Sequence, residues 1–182
     1  MSPQKKILPF LVSIMFLFSC VDKLDFSQIE DYNATPEYIA SLTYFKVLPF
    51  QFFNQLGVQE SERTDITDFR VFENDFLRKN LVKIDFFVEI KNEIDKDFTM
   101  QIEFLDNNNN LTHRFQDINV SANDLDYKFD ETIEVSSNPN IINTIKIKVT
   151  VKIDNPNPPL NLAANSEFEF KSSAKIYIDT DD

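Results

Sequence analysis

Few side chains in this sequence could do covalent chemistry: one thiol, Cys20, one imidazole, His113, and a scatter of serines. Cys20 closes an unbroken apolar run from Ile7 to Phe18 that follows Lys5 and Lys6, the layout of a secretion signal ending at a cysteine. No second thiol exists to make an intrachain disulfide or a thiolate metal site. His113 stands between Thr112 and Arg114 with no histidine or cysteine at metal-ligand spacing, so a solvated or hydrogen-bonded structural role is expected for it. Ser121, Ser136 and Ser137 lack the flanking glycines of a nucleophile elbow; with Gly57 as the single glycine, no phosphate-cradling loop can be built either. The chain therefore reads as not an enzyme, and no cofactor is expected. Hard oxygen donors occur at Asp106 to Asn110, at Asp124 with Asp126, and at Asp179, Asp181 and Asp182. Calcium needs six to eight oxygens, and an EF-type loop needs glycine at its sixth place and glutamate at its twelfth, which these segments lack. Solvated turns are expected there, and no metal site.

The apolar segment from Ile7 to Ser19 has 13 residues. As a helix it would reach roughly 20 Å, short of the ~30 Å hydrocarbon core, which suits a signal h-region better than a permanent span. Leu17-Phe18-Ser19-Cys20 resembles the lipobox of bacterial lipoprotein precursors, with a branched apolar residue three before the cysteine and a small one immediately before it. Phe18 stands where a smaller residue is more usual. The resemblance implies that residues 1–19 are removed, that Cys20 receives a diacylglycerol on sulfur and an acyl group on its new amino terminus, and that the protein is held to a membrane by that lipid. At about 0.8 kcal/mol per buried CH₂, one chain is marginal and several hold firmly. Val21 directly after the cysteine, rather than an acidic residue, implies the outer membrane. The Asp and Lys residues just behind resemble export tags of surface lipoproteins in Bacteroidota, and the Phe, Asn, Lys and Asp-rich composition resembles uncharacterised lipoproteins of that group. The periplasmic leaflet and the cell surface both remain open.

Removing residues 1–19 takes two of the 18 basic residues and leaves 163 residues, 16 basic and 30 acidic, a net charge of −14. Such a chain repels nucleic acid and anionic lipid, so no nucleic-acid partner is expected and the lipid must do the anchoring. Its length suffices for one domain, and the expected organisation is signal peptide 1–19, lipidated N-terminus and tether 20–36, and one domain over 37–182.

That domain speaks in period two. Val82, Ile84, Phe86, Val88 and Ile90 alternate with Lys83, Asp85, Phe87, Glu89 and Lys91. The same alternation runs through Phe98 to Phe104, Ile145 to Ile153 and Phe168 to Ile178, so four strands with one apolar face are expected. Weaker strands are expected over Ile39 to Val47, Phe69 to Phe72, Leu111 to Phe115 with a slip of phase before Ile118 and Val120, and Tyr127 to Val135. No comparable window carries an apolar stripe at helical spacing, apart from a short turn over Pro49 to Leu56. About eight one-sided strands predict an all-β, antiparallel two-sheet sandwich. With one glycine available, Asn and Asp must supply the turn positions with positive φ, and Asp106 to Asn110 is the clearest hairpin loop. The stretch from Val88 through Leu111 resembles immunoglobulin-like and fibronectin-type modules, which implies an immunoglobulin-like sandwich and leaves the sheet topology open. Asn155-Pro156-Asn157-Pro158-Pro159 is similar to sandwiches of the water-stress type.

The chain has 19 phenylalanines and no tryptophan. Phe50, Phe52 and Phe53 either cap one end of the core or, if exposed together, form an apolar interaction surface. Tyr32, Tyr38 and Tyr44 keep a sugar-stacking platform open. Two functions follow as expectations. The first is a non-catalytic interaction or structural module, tethered through Cys20, that binds another envelope protein by strand addition or by a loop surface. The second is a surface module for a glycan or other polymer, with calcium as a conceivable organiser of its acidic loops.

Overall fold

A computed structural model describes residues 37–180. The signal segment, Cys20, the tether and the pair Asp181 and Asp182 lie outside the described residues. Nine strands follow one another: β1 Glu37–Val47, β2 Glu62–Asp68, β3 Leu81–Asn92, β4 Phe98–Leu105, β5 Leu111–Arg114, β6 Ile118–Val120, β7 Tyr127–Glu134, β8 Lys146–Ile153 and β9 Phe168–Ile178. A six-residue helix, α1 (Asp75–Asn80), precedes β3, and 3₁₀ turns occupy Pro49–Phe52, Val71–Glu73 and Pro139–Asn143. Among the described residues no helix is long and apolar enough to cross a membrane.

All pairings are antiparallel and fall into two sheets. Sheet 1 has the order β1-β9-β3-β7, and sheet 2 the order β2-β8-β4-β5 with β6 continuing beside β4. The two-sheet antiparallel sandwich is thus as expected, and its strand order, which the sequence left open, is not that of an immunoglobulin domain. An immunoglobulin sandwich separates its strands as ABED and CFG. Here β1 pairs with β9, β2 with β8, β3 with β7, and β4 with β5 and β6, so the chain is one long antiparallel ribbon rolled up, the jelly-roll order. The short stretch that resembled an immunoglobulin module carries no information about partners that lie a hundred residues away.

The four strands with clean alternation form as expected, and so do β1, β5, β6 and β7. Two local readings need correction. The Phe69 to Phe72 segment is no strand: Phe69 and Phe72 both turn into the core around the 3₁₀ turn and meet edge to face at 5.4 Å. Val82 is not part of the buried set, because a bulge between Leu81 and Lys83 resets the phase, burying Leu81 and turning Val82 out. Helix α1 starts where Asn74 caps it, its Oδ1 accepting from the backbone N–H groups of Phe76 at 2.9 Å and Leu77 at 3.2 Å.

Between the sheets the core is built mainly of isoleucine and phenylalanine. Phe86 of sheet 1 meets Phe104 of sheet 2 at 5.2 Å, and Phe98 of sheet 2 meets Phe168 of sheet 1 at 5.0 Å, in tilted geometries that suit the ring quadrupole. Each such ring, wholly removed from water, contributes roughly 1.5–3 kcal/mol. One polar residue breaks the inward phase of β9. Ser172 faces a bulge in β1 and exchanges hydrogen bonds with the backbone of Thr43. At one end of the core Asn92 is fully buried and fully used: its Nδ2 donates to the carbonyls of Lys96 and Ser121, and its Oδ1 accepts from Ile94 N–H. It ties the end of β3 to two loops. As expected, asparagine supplies left-handed turn positions, Asn109 at φ 62° and Asn123 at φ 58°, beside Gly57 at φ 71°.

Candidate functional site

The strand order leaves two long edges where sheet 1 and sheet 2 face each other. On one, β7 of sheet 1 lies against β5 and β6 of sheet 2. His113 points inward from β5, and its Nε2 lies 2.7 Å from Glu131 Oε1 on β7. Asn138 Nδ2 lies 3.2 Å from His113 Nδ1 and donates to the Thr112 carbonyl. An amide nitrogen can only donate, so Nδ1 accepts and the ring proton sits on Nε2, donated to Glu131. Phe115 seals the remainder, packing on Phe86, Phe104 and Phe129. The histidine thus has the structural role expected of it: a bridge between sheets.

On the other edge β1 faces β2, and the gap stays open. A cleft of about 570 Å³ runs between Thr43–Val47 and Arg63–Thr67, floored by Val149 and Val151. The cross-strand register pairs Arg63, Asp65 and Thr67 of β2 with Val151, Val149 and Ile147 of β8, which places the polar side chains of β2 on the inward phase. Arg63 is consumed locally: it bonds the carbonyls of Gln51 and Phe53 and pairs with Glu60 at 2.7 Å, pinning the Pro49–Phe52 turn to β2. Among the described residues the Asp65 side chain has no hydrogen-bond or ion-pair partner. Inward charge on an edge strand discourages further strands from closing over it.

The outer face of sheet 1 offers a second region. In one cross-strand row stand Tyr44, Lys171 and Glu89; in the next stand Ser41, Ser173 and Phe87. The two serines are short, and a hollow of about 440 Å³ forms over them, walled by Tyr44 and Phe87. Both rings are partly open to solvent, Tyr44 at 55% and Phe87 at 44%. The Glu169 carboxylate 2.7 Å away holds the Lys171 ammonium above its ordinary value. Further along the same face polar groups are saturated. Burial pushes the Asp85 carboxyl up, but hydrogen bonds from Tyr177, Thr132 and Lys83 outweigh it and hold the group below the usual carboxylate range.

Of the residues singled out from the sequence, Cys20, Tyr32, Asp181 and Asp182 lie outside the described residues. Phe50, Phe52 and Phe53 do not stand together at the surface. Phe52 is wholly buried against Phe98 and Phe53 packs on the core, while Phe50 alone is half exposed. Phe52 and Phe53 cap the core, the other of the two roles open to them, and Phe50 does not share it. Asp106 spends its carboxylate on its own loop, accepting from the backbone N–H groups of Asn108 and Asn110 and the side chain of Asn110, whose bonds hold it below its ordinary value. Asp124 accepts from Asp126 N–H, and Asp126 pairs with Lys128. Among the described residues no group of three or more His, Cys, Asp or Glu side chains stands close enough to hold a metal ion. Tyr44 does line a cavity. Missed were Asp65, because β2 shows no alternation, and Phe87, although an aromatic ring in the charged phase of β3 was a visible signal.

No protein-family model and no curated protein matches the chain. Among solved structures it is similar to a protein of Parabacteroides distasonis inferred to be secreted, with TM-score 0.49, 14% identity, and coverage of 63% of this chain and 38% of that one. It is similar also to the VP2 subviral particle of infectious bursal disease virus, with TM-score 0.42, 9% identity, and coverage of 80% and 33%. A third likeness is to the N-terminal CBM22-1-GH10 modules of endo-1,4-beta-D-xylanase 10B of Clostridium thermocellum, complexed with xylohexaose, with TM-score 0.35, 11% identity, and coverage of 80% and 28%. The chain spans less than half the length of each of these structures. All three TM-scores lie below 0.5, and the jelly-roll assignment rests on the strand order alone.

Proposed function

We propose that this chain is a lipid-anchored protein of the bacterial envelope, held to the outer membrane through Cys20, whose jelly roll is a non-catalytic interaction module. The observation that carries the reading is the open edge. Among the described residues, strands β1 and β2 each have one side without a strand partner, and between them lies a cleft with an apolar floor and the unpartnered Asp65 carboxylate. An extended segment of an envelope partner can add backbone hydrogen bonds to either strand, set an apolar side chain on Val149 and Val151, and bring a cation to Asp65. Two measurements test it. Labelled palmitate should enter the wild-type protein and not Cys20→Ala; entry into both, or into neither, refutes the anchor. A photo-crosslinking residue at Thr67 in the full-length chain should give one discrete adduct in intact envelopes. That adduct should vanish with Asp65→Lys and should not form from a crosslinker at Lys128 on the opposite edge. Equal adducts from both edges would refute the assignment.

The hollow between Tyr44 and Phe87 favours a second reading, a surface glycan-binding module. The two readings use different faces and one anchor.

A further inference from the structure

We propose that the hollow on the outer face of sheet 1 is a binding site for a neutral glycan chain, with Tyr44 and Phe87 as stacking rings and Ser41, Ser173 and Glu89 as the hydroxyl-recognising groups. This deepens the second reading and rests on it. The register places the parts. Tyr44 on edge strand β1 and Phe87 on β3 flank central strand β9, and Ser173 of β9 lies beside Phe87 in one row and one row away from Tyr44. Two half-exposed rings separated by a floor of serines form a trough with apolar walls and a polar base.

What the polar groups lack is as informative as what they are. Among the described residues the side chains of Ser41, Ser173 and Glu89 have no hydrogen-bond or ion-pair partner. In the next two rows along the face, Lys175, Asp85 and Thr132, then Glu37, Tyr177 and Lys83, are bonded to one another. One part of the face is closed on itself, and the other holds unspent donors and acceptors between aromatic walls. A pyranose matches that set: its C–H face covers a ring, and neighbouring hydroxyls reach a carboxylate and a serine hydroxyl.

Other occupants match less well. A peptide strand would find no free backbone here, because β9 is paired on both sides. A polyanion meets the mature charge of −14, and the one cation lining the trough, Lys171, is paired with Glu169 and stands 5.9 Å from the centre of the Tyr44 ring, from which a sugar would displace it. The glycan is therefore neutral. The trough is shallow and holds no enclosed end, so it takes interior units of a chain, with the weak affinity of a site that covers only one side of each sugar.

The test is an array of cello-, xylo-, manno- and chito-hexaose beside polygalacturonate and heparin, probed with the full-length protein in detergent micelles. The best binder is then titrated by nuclear magnetic resonance. At least one neutral hexaose should bind, and neither polyanion should. Tyr44→Ala and Phe87→Ala should each weaken binding tenfold or more. Ser173→Leu, which fills the floor, should do the same, with all three variants keeping the wild-type thermal midpoint. If a neutral hexaose binds equally well to all three variants, the site is overturned while the glycan reading stands. If only the polyanions bind, the neutral site is overturned while the glycan reading stands; if nothing on the array binds, both fall.

Discussion

Along the edge between β5 and β7 the two sheets touch through Phe115 and Phe129 at 5.7 Å and through His113 and Glu131 at 2.7 Å; along the edge between β1 and β2 a cleft of about 570 Å³ separates them. Both edges come from the same rolled ribbon, so topology does not explain the difference. Residue type does. The inward phase of β5, β6 and β7 carries His113, Ile118, Val120, Phe129, Glu131 and Ile133, large groups or groups with a partner across the gap. The inward phase of β2 carries Arg63, Asp65 and Thr67, none of which meets a partner on β1 among the described residues. A closed edge stabilises the sandwich, whereas an open one keeps surface and hydrogen-bonding capacity for something else.

The sharpest way to break this contrast is to remove one ring from each edge. Phe115 is 3% exposed and touches three other phenylalanines, so Phe115→Ala should cost about 3–5 kcal/mol, transfer and cavity together. Phe45 is half-buried at the open edge and stacks on Phe170 alone at 4.8 Å. Phe45→Ala should cost about 1–2 kcal/mol, because water already reaches one side and little cavity is created. Urea unfolding of both variants measures the difference. Equal losses would mean that the open edge is as much a part of the core as the closed one.

The next effect in size separates polar closure from apolar closure. His113→Ala leaves the Glu131 carboxylate without a partner in a half-buried gap and takes one of two acceptors from the Asn138 amide, and should cost about 1–3 kcal/mol. Glu131→Gln keeps an acceptor for the Nε2 proton and should cost about 1 kcal/mol or less. If both were silent in urea unfolding, Phe115 alone would close the edge.

A pH measurement then asks whether acid sensitivity resides in the edges or in the middle of a sheet. Asp85 lies on central strand β3, bonded by Tyr177 at 2.7 Å and Thr132 at 2.8 Å. Its carboxyl is held below the ordinary Asp value of about 3.9, so the folded state favours the ionised form. The stability this contributes is fully present above that ordinary value and is lost as pH falls through the lower folded one. Asp85→Asn should flatten the fall in stability below about pH 4, while leaving the neutral-pH behaviour of both edges alone. A wild-type acid limb in the variant would place the sensitivity elsewhere.

The contrast between edges also marks how far the sequence could be read. Strands β3, β4, β8 and β9 were legible because each alternates for four or more pairs with one face in the core. Strand β2 was not, because Glu-Arg-Thr-Asp-Ile-Thr-Asp offers polar groups to both faces, and the open edge was hidden with it. Val82 was misplaced by a bulge that leaves no trace in the alternation of its neighbours. The jelly-roll order was out of reach for a different reason: Thr43 meets Ser172 across 129 residues, and periodicity says which face is buried but never which strand lies alongside. Half of the hollow was legible. Tyr44 and Phe87 are visible as exposed-phase aromatics, while Ser41 and Ser173 acquire meaning only when the register sets them between those rings.

The smallest expected change in stability tests the open edge most directly. Asp65→Val replaces an unpartnered carboxylate on the inward phase of β2 with a β-branched apolar side chain beside Val149. Removing an exposed charge costs little and covering the cleft floor gains little, so stability should stay within about 0.5 kcal/mol of wild type. Association should respond more. A second chain that pairs with β2 in the wild type must bring the Asp65 carboxylate out of water, and the valine removes that obstacle while adding apolar surface to the contact. Sedimentation velocity at matched concentrations should therefore show a larger assembled fraction for Asp65→Val than for wild type, whereas Asp130→Val on the outward phase of β7 should show none. Equal sedimentation of all three proteins would mean that the carboxylate does not guard the edge, and that the cleft stays open because of the Arg63 clamp on the Pro49–Phe52 turn.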